Sequence, residues 1–118
     1  MSNPILSRAI SETAVDEVEV HFDWRPAVQN GRVVFQADIV REGRRSAISF
    51  QIDLHRLEHV ELEQLNTFLA RRHAGLTDGY AITRTIVWLL DISLRQNEPL
   101  LSEEDRCAKV RELLMAVA

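Results

Sequence analysis

RVVFQADIVREGRRSAISFQIDL, residues 32–54, decides the fold. Apolar side chains fall at every second position on both sides of a polar break. Val33, Phe35, Ala37 and Ile39 share one face of the first run, with Val34, Gln36 and Asp38 on the other. Ile48, Phe50, Ile52 and Leu54 repeat the pattern in the second run against Ser49, Gln51 and Asp53. A period of two belongs to strands with one face on a core. Arg41-Glu42-Gly43-Arg44-Arg45 between the runs reads as a solvated turn.

Upstream, Val18, Val20, Phe22 and Trp24 alternate with Glu17, Glu19, His21 and Asp23. This predicts a third strand from Val15, ended by Pro26, whose nitrogen carries no hydrogen for a ladder. Asn30-Gly31 then tolerates the positive φ of a tight hairpin. Three strands joined by short turns make an antiparallel meander with one wet face.

Downstream of Leu54 the period becomes 3.6. Leu57, Val60 or Glu61, Leu65, Phe68 and Leu69 predict a first helix, with Asp53 as its N-cap and Gly75 as its stop. Arg71, Arg72 and His73 in its last turn suit the helix dipole. A second helix, Tyr80 to Gln96, is apolar round most of its circumference: Ile82, Ile86, Val87, Trp88, Leu89, Leu90, Ile92 and Leu94. Such a helix is central in its domain or lies against another molecule. Asn97-Glu98-Pro99 breaks the chain, and Ser102 caps a third helix with an apolar stripe of Cys107, Val110, Leu113, Leu114 and Val117. The expected fold is α+β: a three-stranded antiparallel meander followed by three helices packed on one face of the sheet. Residues 1–14 read as an irregular lead-in and 15–118 as a single domain.

Composition narrows the function classes. The 118 residues carry 14 Lys and Arg against 18 Asp and Glu, a net charge of −4, so no global basic footprint for a phosphate backbone exists. Lys109 is the only lysine, a bias that codon usage in a GC-rich genome explains. The single Cys107 excludes an internal disulfide and fits a reducing, cytoplasmic compartment. Its place on an apolar stripe makes it a core residue, with no base in view to activate it. No signal peptide, membrane span, P-loop or dinucleotide glycine fingerprint is present, and no cofactor is expected. Asp16, Glu17, Glu19 and Asp23 make a solvated acidic face rather than a catalytic pair.

Three functional readings follow, in order. The first is a non-enzymatic protein-binding or regulatory module that self-associates, as a homodimer, through the second helix. Tyr80, Trp88, Ile92, Leu94 and Trp24 would make the contacts, because aromatic and aliphatic anchors dominate interfaces. The second is a nucleic-acid contact by the arginine hairpin Arg41, Arg44 and Arg45. The third rests on His55-Arg56-Leu57-Glu58-His59, which matches the H-x-x-E-H pattern of inverted zinc metallopeptidases. That match implies His55 and His59 as ligands and Glu58 as general base. It covers five residues, the expected third ligand has no assigned position, and His55 falls where strand becomes helix. The sequence therefore commits to no metal.

Overall fold

The computed structural model describes residues 19–22, 27–29, 31–76 and 78–115. Trp24, Val117 and the lead-in 1–14 lie outside them. The chain is α+β: strands β1 (Glu19–Phe22), β2 (Ala27–Gln29), β3 (Arg32–Arg41) and β4 (Arg44–Asp53), then helices α1 (His59–His73), α2 (Gly79–Asn97) and α3 (Glu103–Met115). No helix among the described residues is long and apolar enough to cross a membrane.

Two long strands, β3 and β4, dominate the sheet. They pair antiparallel from Arg41↔Arg44 to Arg32↔Asp53. The turn between them holds Glu42 at φ 52° and Gly43 at φ 76°. Two consecutive positive φ values make a type I′ turn, whose twist matches that of the strands it joins.

The expected count of three strands is corrected. The far edge of β3 carries two short strands: β1 pairs with Ala37–Val40 and β2 with Arg32–Val34. The second of these, β2, begins at Ala27, directly after Pro26 in the sequence.

The inner face follows the alternation. Val33, Phe35, Ala37, Ile39 and Ile52 are buried, and Phe35 stacks on Phe50 with ring centres 5.4 Å apart. Against this face lies α2, which makes the extensive helix contacts with β1 and β4, and α3 packs on α2. Leu65 of α1 and Cys107, Val110 and Leu114 of α3 complete the core.

The first helix begins later than its period suggests. Asp53 caps a 3-10 turn, Leu54–Arg56, by accepting from the His55 amide at 2.9 Å. The α-helix starts only at His59, where the Glu61 side chain accepts from the Glu58 amide at 3.0 Å. That reach of the third helical residue back to the cap amide fixes the start. At the other end Gly75, at φ 75°, ends the helix as expected.

Candidate functional site

Tyr80 apart, the middle helix leaves no large apolar side chain exposed. Trp88 is 8% exposed and Ile92 2%, both enclosed within one copy of the chain, and Leu94 is packed against the core. The girth that suggested a second molecule around α2 is covered by the sheet and the flanking helices. Of the expected contact residues, Tyr80 alone is exposed among those described, with Arg84 5.7 Å from its ring centre.

Charged side chains that bridge the helices, with Glu61 and Asp91 buried, hold that arrangement. Glu61 on α1 meets Arg95 on α2 at 2.7 Å, and Arg95 stands 3.5 Å from Asp91 one turn earlier. Asp91 accepts from Arg106 of α3 at 2.7 Å, and Arg106 also donates to the Leu101 carbonyl. The alternating chain Glu61–Arg95–Asp91–Arg106 ties all three helices together. A buried carboxylate needs such partners, because desolvation alone would make its charge costly.

Exposed apolar side chains include Leu100 ahead of α3 and, beside a groove, Val60 on α1 and Leu76 on the connection after it. The Leu76 amide donates to the Arg71 carbonyl at 2.8 Å and the Gly75 amide to the Arg72 carbonyl at 3.0 Å. This pair of bonds is a Schellman stop, and the residue after its glycine is normally folded back on the helix. Leu76 is nevertheless 69% exposed. It stands at the mouth of a groove of about 520 Å³ formed by one face of α1 and the start of α2. Val60, itself 48% exposed, and Phe68 supply apolar lining, while Glu63, Arg71 and Asp78 bring charge to the same groove. Asp78 is held by its own task, accepting from the Ala81 amide at 2.8 Å as N-cap of α2. Sequence reasoning placed Leu76 and Val60 in no site. The one available signal was a leucine directly after a helix-ending glycine.

The zinc-like motif separates on folding. His55 lies in the 3-10 turn and His59 is the first residue of α1, so they do not share a helical face. Glu58 stands at the helix cap, and His59 turns to Glu63 at 3.0 Å. His55 sits over Gly31, where an added Cβ would lie 2.8 Å from its ring. Among the described residues no group of three His, Cys, Asp or Glu could hold a metal.

The arginine tip is partly engaged. Arg45 bridges to Asp38 at 3.3 Å across the hairpin, while Arg44 is exposed beside the turn. Cys107 is buried in α3. Comparison with protein-family models, with curated proteins and with solved structures finds no match.

Proposed function

We propose that the chain is a non-catalytic protein-binding module whose docking surface is the groove along α1, taking an amphipathic helix from a partner protein. The observation that carries this reading is Leu76, an apolar side chain left exposed at a hydrogen-bonded helix stop. Val60, Gln64, Phe68 and Arg71 follow one another at helical spacing along the groove. From Val60 to Arg71 the run is about 16 Å, the length of a three-turn helix. Recognition of this kind uses one or two bulky anchors in an apolar slot with charges at its margin. Glu63 and Asp78 favour a basic residue beside the partner's anchor, and Arg71 an acidic one.

The test is a titration of isotope-labelled protein with a panel of amphipathic helical peptides, read by amide chemical shifts. Shifts centred on Val60, Phe68, Leu76 and Ala81, abolished by Leu76→Glu, are expected. Peptides that bind wild type and Leu76→Glu alike, or that leave these amides unmoved, overturn the reading.

A further inference from the structure

The I′ turn determines where every backbone group of β4 points. In a two-residue hairpin the flanking pair, Arg41 and Arg44, exchanges both hydrogen bonds. Residues 44, 46, 48, 50 and 52 therefore address β3, and 45, 47, 49, 51 and 53 address the open edge.

At the far half of that edge, side chains take both outward groups of Asp53 and the outward carbonyl of Gln51. Gln96 copies a strand partner, accepting from the Asp53 amide at 2.8 Å and donating to the Asp53 carbonyl at 3.1 Å. Ser93 and Asn97 donate to the Gln51 carbonyl at 2.8 and 3.2 Å. Among the described residues nothing takes the outward amides and carbonyls of Arg45, Ala47 and Ser49. Beside this stretch the inner face carries Ile48 and Phe50, only half-buried, whereas their ladder partners Ala37 and Phe35 are buried. The apolar face thus runs out past its helix cover to the unpaired edge. An edge of this kind is a template for another strand.

We infer that the occupant is the same stretch of a second copy, joined antiparallel about a two-fold axis at Ala47. The open positions are bounded by the turn at Gly43 and by the side-chain caps at Gln51, so Ala47 is their centre. Symmetry then sets Ala47 against Ala47 and Arg45 against Ser49, in about six backbone hydrogen bonds. No like charges face each other. The two Arg45 residues stand about 14 Å apart along the strands, beyond a screening length of about 8 Å. On the inner face Ile48 of each copy meets Ser46 of the other, and Phe50 lies along the aliphatic stem of Arg44. Each half-buried strip covers its equivalent, as an isologous interface requires. This interface does not depend on the groove.

Sedimentation of the full chain over a range of micromolar concentrations is the test. Wild type is expected to dimerise. Ala47→Asp and Ala47→Lys each put two like charges face to face on the axis and weaken association by about tenfold or more. An equimolar mixture of the two restores it as a heterodimer, read by native mass spectrometry. Ala47→Pro removes an amide that points only outward, so the circular dichroism stays native while the dimer is lost. Leu76→Glu, which disables the groove, leaves the dimer intact. A wild type that stays monomeric throughout, or Ala47 variants that associate as wild type does, overturns the inference.

Discussion

Arg106 reaches from α3 to hold Asp91 on α2, its Nε donating at 2.7 Å to a carboxylate only 3% exposed. Removing the arginine takes away the shorter of the two cation contacts to this buried charge and leaves only Arg95 at 3.5 Å. Arg106→Ala should therefore destabilise the chain by about 3 kcal/mol, measured by urea denaturation. Replacing both partners by apolar residues of similar volume should cost much less. A double-mutant cycle that found the two residues independent would contradict this account.

Trp88 sits in the core of a single copy, so its truncation acts on folding rather than on assembly. Trp88→Ala should lower stability by about 3–5 kcal/mol, and by the same amount at low and high protein concentration. A loss that shrank with increasing protein would point to a second molecule around α2.

Gly31 is constrained twice: its φ is 77°, and the ring of His55 fills the space a Cβ would occupy. Gly31→Ala should cost more than about 1 kcal/mol. His55→Ala should recover the steric part and leave the conformational part, and thermal melts of both single variants and the double separate the two.

Arg44 and Arg45 should not constitute a nucleic-acid site. Arg45 is engaged by Asp38, and the net charge of the chain is −4. Gel-shift assays at about 50 mM salt, where phosphate contacts are strong, should give no complex with double-stranded DNA for wild type or for the Arg44→Ala, Arg45→Ala double variant. A complex that the double variant loses would restore this reading.

Much of the fold was legible because its signals are local. The alternation from Val33 to Leu54 reports which side chains face the core, and it needs no knowledge of what covers them. The glycine at 75 and the serine at 102 act within one turn of where they stand. The start of α1 was hidden because Asp53 and Glu58 are both fit to cap, and which one caps the α-helix depends on Glu61 bending back. The enclosure of Trp88 was hidden for a different reason. Apolar girth measures how much surface a helix must bury, and the covering elements come from distant parts of the chain. Asp91 and Arg95 interrupt the apolar run of α2, and their partners Glu61 and Arg106 come from α1 and α3, distant in sequence. The exposed leucine at 76 was the least legible of all, since a Schellman stop ordinarily tucks that residue away.

Gln96 stands in for a missing strand, and it does so from the last turn of a helix, the part most given to fraying. When that turn unwinds, Asp53 loses both of its bonds to Gln96 and Gln51 keeps only the one from Ser93, so the outward edge of β4 opens at its far end as well. Deuterium uptake at the Asp53 amide should therefore keep time with that at Asn97. Conditions that loosen helix ends, such as mild warming, should turn a defined pairing into open-ended strand growth before the core itself gives way.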